Sequence, residues 1–583
     1  MAAVLAMGTA ISTAQAADAP IKEPAPAAES AEQAAERELD RAALNAELFY
    51  EILVGEMAAS QGALGDAQAL MMEAARTSGS EQLYRRATEL AVQSRSGDRA
   101  LRNARAWLDA YPDSRRANRT VLQLLVALNR IADSTSYLRR EVEATPDEAK
   151  PATFLSITQL YNNASDKPLA ADVVEQALDA ELKDKKNGPM AWATIGHMRL
   201  LAGQKAAALQ AVDSAQQLDP DTGAIALLSM ELLESGSAEV EPIIKRYLQK
   251  SPSPQIRMGY ARVLLGQKRI DDAKTQLMAI TQESPDFAEA WAVLANLQLR
   301  ADELGAAQTS IERFGALLPQ LPQGVSRNAG QSQYYLLQAN LAEKQKRYAD
   351  ADAYLTRIPD AANLLSVQAH RAELMAKQGK IQQARALIRA VPATGPNQQR
   401  LKTMAEVQLL RDADQNSEAY ALQLTLHKQS PDDAELAYDT AMLAERAGKF
   451  DEMEKLLRDL MVRKPDFLHA YNALGYSFAE RNIRLDEAQA LIQKALDMQP
   501  DDPFVTDSLA WVKYRKGDLN GAESLLEKAY AKRQDVEISA HLGEVLWQNG
   551  KRERAMQVWR QGLKLDAENT VLLETFKRLN VTP

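Results

Sequence analysis

Residues 468–500 read LHAYNALGYSFAERNIRLDEAQALIQKALDMQP. Tyr471, Leu474, Gly475 and Phe478 recur at three- and four-residue steps, the spacing that puts side chains on one face of a helix. After a polar break, Ala488, Ile492 and Ala495 mark one face of a second helix. Pro500 has no N–H to donate and disfavours helix in the residue before it, so it ends the unit. Gly475 and Ala488 are small where the two helices of a hairpin must cross closely. The stretch predicts a helix–turn–helix hairpin. Its turn, Arg481 to Leu485, carries one residue more than the pattern needs.

The pattern recurs from Leu48 onward. The small residue opening each second helix falls at Ala67, Ala100, Ser134, Ala170, Ala208, Val240, Ala273, Ala307, Ala351, Ala384, Ala419, Met453, Ala488, Ala522 and Ala555. Most spacings are 32–36 residues, and the longest is 44, from Ala307 to Ala351. Twelve of these fifteen anchors are Ala, and seven of the twelve have Pro twelve residues later, from Pro112 to Pro500. Chance (12 × 23/583) gives about half of one. The units around Ser134 and Val240 lack the aromatic and the glycine and are degenerate copies.

A repeat array suits the length, 583 residues, because each unit contacts only its neighbours. Cysteine is absent, which excludes disulfides and thiolate chemistry. The net charge is −10, and no basic stripe stands out, so nucleic acid is not an expected partner. Residues 1–16 are apolar and end in Ala14-Gln15-Ala16, a small-x-small cleavage signal. The expected organisation is an export signal over 1–17 and a flexible lead-in with a helix over 18–47. One array follows over 48–320, then an irregular connection over 321–332, and a second array over 333–583 closed by a capping helix. Export implies a periplasmic protein, and an intact N-terminus a cytoplasmic one. No transmembrane anchor is expected.

The W-x₂-[LI]-[GA]…A…P units, such as Trp192-x₂-Ile195-Gly196 with Ala208 and Pro220, resemble tetratricopeptide repeats. The resemblance covers roughly Leu48 to Leu579. It implies an all-α superhelical solenoid of antiparallel helix hairpins whose first helices line a groove for proteins or peptides. Leu48–Glu56, Tyr84–Ala91, Ala104–Trp107 and Tyr111-Pro-Asp also resemble the opening repeats of proteobacterial envelope proteins of this kind. One such group is the adaptor of a carboxyl-terminal processing protease. That resemblance implies delivery of substrates, cell-wall hydrolases among them, to such a protease. The alternative is a structural scaffold for cell-wall or exopolysaccharide assembly.

No phosphate loop, HExxH, GxSxG or metal-ligand spacing occurs, and no cofactor is expected. His197, His370, His427, His469 and His541 lie in different repeats, which favours surface or packing roles over catalysis. An enzyme is not expected. What the repeat geometry offers is a groove. Positions 2, 5, 9 and 12 of the first helices are His469, Asn472, Tyr476 and Ala479; Phe504, Asp507, Trp511 and Tyr514; and Glu537, Ala540, Glu544 and Trp547. Tyr476, Trp511, Tyr514 and Trp547, with Arg515 nearby, are aromatics and an arginine of the kind found at binding hot spots. The competing expectation is that these rings pack between neighbouring first helices. No Lys/Asn set for clamping a terminal carboxylate is evident at these positions.

Overall fold

The computed structural model describes residues 31–251 and 253–582, with side chains from Ala46 onward except Ala362. The expected export signal and the lead-in up to residue 30 lie outside the described residues, as does Pro252. The described chain is all-α, with 31 α-helices, short 3-10 turns and no strand among the described residues. It is a solenoid of antiparallel hairpins in which each helix packs chiefly on its sequence neighbours.

The alanine anchors explain the hairpins. Thirteen of the fifteen are the fourth residue of a second helix, from Ala67 in Leu64–Ser78 to Ala555 in Arg552–Leu565. The two exceptions, Ser134 and Val240, close 3-10 turns that precede shorter helices. All fifteen anchors are buried. In the hairpin of Leu468–Glu480 and Leu485–Met498, a Cβ on Gly475 would stand 2.6 Å from Ile492 Cγ1 and 2.9 Å from the Ala488 carbonyl oxygen. No side chain fits there without pushing the helices apart. The longer turn of this hairpin takes up its extra residue with two left-handed positions, Asn482 (φ 55°) and Arg484 (φ 48°). Acids at inter-repeat turns cap the next helix: Asp433 accepts from Leu436 N, and Asp502 from Phe504 N and Val505 N.

Contacts divide the chain into two compact units, the first ending at Ser284 and the second starting at Pro285. The lead-in does not stop at residue 47, because one helix runs from Ala31 to Ser60. The connection expected over 321–332 is shorter than anticipated. Val325–Lys344 is a 20-residue helix, so only Leu321–Gly324 is non-helical. Pro322 and Gly324 (φ 94°) break the chain for one turn and no more. At the far end, the Thr570–Leu579 helix lays Leu572 and Phe576 on the last hairpin, Phe576 edge-on to Trp559 at 5.4 Å. No helix among the described residues is long and apolar enough to cross a membrane.

Candidate functional site: the first-helix face of the C-terminal repeats

Three successive first helices, Leu468–Glu480, Pro503–Arg515 and Val536–Gln548, carry the groove positions. The structure brings many of these side chains together, but against one another. Trp511 is 3% exposed, Asp507 6% and Glu544 0%. His541, read from sequence as an isolated histidine, is the centre of the cluster. Its ring stacks on Trp511 at 4.2 Å and 22°, and Tyr514 lies 4.8 Å from the same indole. Its Nδ1 sits 2.9 and 3.0 Å from the two Asp507 oxygens, and its Nε2 3.3 Å from the Tyr476 hydroxyl.

The polar groups around His541 pair with neighbouring elements, while Asn472 Oδ1 on the same face is buried without a partner. Trp511 Nε1–H donates to Glu480 Oε2 at 2.7 Å. Tyr514 donates to Glu544 Oε1 at 2.8 Å, and Arg578 of the last helix grips both Glu544 oxygens at 2.5 Å. Arg515 donates to the Ala479 and Glu480 carbonyls, satisfying the C-terminal end of the preceding first helix. Burial pushes the His541 pKa down, but the Asp507 carboxylate and its hydrogen bond more than reverse this, and the net shift is upward. Burial first, then Glu544, pushes the Tyr514 hydroxyl up to about 12, so it stays a donor. Buried polar groups are costly unless paired, and this chain of pairs locks consecutive repeats in register.

The aromatic run expected as an open binding surface is therefore largely interior. Asp507, Trp511 and Glu544 face neighbouring helices because each polar group has its complement about one repeat away. Trp547 does not join the run; it packs on Trp559 at 5.7 Å, with Arg552 over its ring. Of the remaining candidates, His469 and Phe504 are exposed, while Asn472, Tyr476, Tyr514, Arg515 and Trp547 are partly covered. Phe504 lies under the Arg533 guanidinium, 5.0 Å away. Sequence reasoning missed Glu480, His541 and Arg578. The only signal was a shared spacing: His541 stands 34 residues from Asp507, and Arg578 34 from Glu544. Two further histidines are paired in the same way, His197 with Glu231 and His370 with Glu343. Among the described residues no group of three or more His, Cys, Asp or Glu could hold a metal.

Parts of the chain are similar to known proteins. Tetratricopeptide repeat families match residues 238–297, and residues 438–503 and 508–569. A TPR repeat-containing protein of Pseudomonas aeruginosa is 37% identical over 205 residues, 35% of this chain and 35% of that one. The match thus spans about a third of the curated relative's length. A crystal structure of a tetratricopeptide repeat protein from Parabacteroides merdae covers 42% of this chain and 98% of its own, with 14% identity and a TM-score of 0.33. Over the matched residues the chain is similar to tetratricopeptide repeats, which stack into extended concave binding surfaces.

Proposed function

We propose that this tetratricopeptide-repeat protein is a non-enzymatic adaptor of the periplasm. In this reading it holds a carboxyl-terminal processing protease and that protease's substrates, cell-wall hydrolases among them. One observation carries the reading: an apolar stripe on the helix that opens the array. Phe49 and Tyr50 are each 66% exposed, Met57 52% and Leu53 46%. They fall on one side of the Ala31–Ser60 helix at steps of one, four and eight residues from Phe49. A contiguous stripe of large apolar side chains is a usual mark of a protein-binding surface. The stripe also lies in the segment, Leu48–Glu56, that resembles the opening of envelope adaptors.

The test is capture from envelope extract by the immobilised full-length chain. The expected result is recovery of a protease of that class, lost when Phe49, Tyr50 and Met57 are all changed to Ser. Recovery of cell-wall or exopolysaccharide synthesis proteins without a protease contradicts the reading and favours the structural scaffold.

A further inference from the structure

We propose that two buried histidines make the second unit respond to acid in opposite senses at two places. Lowering the pH loosens the packing of Asn416–Gln429 around His427. Raising it loosens the joints that His541 makes between Leu468–Glu480, Pro503–Arg515 and Val536–Gln548.

The two imidazoles are alike in burial and unlike in company. His541 is 2% exposed and His427 8%. An imidazolium has two N–H groups, and each needs an acceptor when buried. His541 has both, the Asp507 carboxylate at Nδ1 and the Tyr476 hydroxyl oxygen at Nε2. The charged groups that face it are carboxylates: Asp507 and Glu480 on the two neighbouring first helices, Glu537 and Glu544 on its own. The nearby cations are engaged elsewhere, Arg578 with Glu544 and Arg515 with the Ala479 and Glu480 carbonyls.

His427 lies on a second helix and has the reverse surroundings. Its Nδ1 is buried and has no hydrogen-bond partner. The neutral ring can carry its proton on Nε2 and leave Nδ1 bare, and the imidazolium cannot. Two acids stand near, Asp433 and Asp459, but each is already held. Arg400 donates to Asp433 at 2.9 Å, and Arg463 donates to Asp459 at 2.9 Å. Arg463 also faces the ring and opposes a second cation there. A place in the last turn of a helix favours a cation modestly, against a buried ring with no acceptor and an arginine alongside. Burial first, then Arg463, lowers the His427 pKa. At His541 burial also lowers it, and Asp507 more than reverses that.

The signs follow from an unfolded value of about 6.5. The contribution of His427 is whole above about pH 6.5 and is lost as pH falls below it. That of His541 is whole below about pH 6.5 and is lost as pH rises. Each repeat contacts only its neighbours, so both effects stay local. An excursion to either side of about pH 6.5 relaxes one stretch and secures the other.

The test joins two measurements on the full-length chain. Histidine labelled with ¹³C at Cε1 is titrated by NMR, with His427→Gln and His541→Gln to assign the resonances. Amide hydrogen exchange is compared at about pH 5.5 and about pH 8.5 after correction for the intrinsic rates. His541 should titrate above about 6.5 and His427 below it. Protection of Asn416–Gln429 should fall on the acid side, and that of Pro503–Arg515 and Val536–Gln548 on the alkaline side. Each change should approach ten-fold for every pH unit by which the titration is displaced, roughly. His427→Gln should remove the first response alone, and His541→Gln the second alone. Where a variant does not fold, exchange of the wild-type chain still decides, because the two stretches are read separately. Titration of both histidines to the same side of 6.5, or protection of both stretches changing in the same sense, would overturn the proposal.

Discussion

Two first-helix faces in this chain carry similar ingredients and do opposite things. In the C-terminal repeats, from Leu468 to Leu579, the ionised and aromatic groups meet partners on the adjacent helix. His541 lies on Asp507 and Trp511, and Glu544 on Tyr514 and Arg578. In the first unit, from Glu81 to Tyr161, Arg116 is exposed and makes no side-chain hydrogen bond or ion pair among the described residues. Residues of similar type therefore serve as mortar in one place and stand open to solvent in the other. Hot-spot residue types alone do not identify a binding surface. Whether the neighbouring repeat has already satisfied them does.

The sharpest way to break this contrast is Trp511→Ala. If the indole is mortar, the substitution costs about 3–5 kcal/mol and lowers the melting of the C-terminal repeats, read by circular dichroism and limited proteolysis. Unchanged melting would return Trp511 to the groove. Next in size is Arg578→Ala, which leaves Glu544, 0% exposed, with only the Tyr514 hydroxyl. A loss of about 2–4 kcal/mol is expected, and Glu544→Gln in the same chain should recover part of it because the unpaired charge is gone.

A smaller effect concerns pH. The His541 pKa is raised in the folded chain relative to an unfolded value of about 6.5. The stabilisation from its pairing is thus fully present below about pH 6.5 and is lost as pH rises through the folded value. Charged groups around it, Asp507, Glu480 and Glu544, all favour the imidazolium. Melting of the C-terminal repeats should fall as pH rises above about 6.5, and His541→Gln should flatten that slope. The smallest stability effect belongs to the open face. Arg116→Ala should change melting by less than about 0.5 kcal/mol, since that side chain is exposed, whereas Arg119→Ala should cost more because it strips a donor from buried Glu141.

How much of this was legible in sequence follows from range. Hairpins are local, so alanine spacing located nearly every second helix. The short connection at Leu321–Gly324 was overestimated because two prolines and a glycine look alike whether they interrupt four residues or twelve. The candidate site was legible only as a list of positions facing the right way. What each position meets depends on a residue about one repeat away on another helix, as with Asp507 and His541. Periodicity says that two such residues share a face, and it does not say that they complement each other. The basic stretch of residues 81–141, twelve Arg against seven acids, was missed for a different reason, dilution in a chain of net charge −10.

Hydrogen–deuterium exchange of the full-length chain, wild type against Trp511→Ala, tests the central contrast most directly. The account predicts faster exchange in the variant across Leu468–Glu480, Pro503–Arg515 and Val536–Gln548, with Glu81–Gln93 and Arg115–Ala127 unchanged. Unchanged exchange across the three C-terminal helices would contradict it.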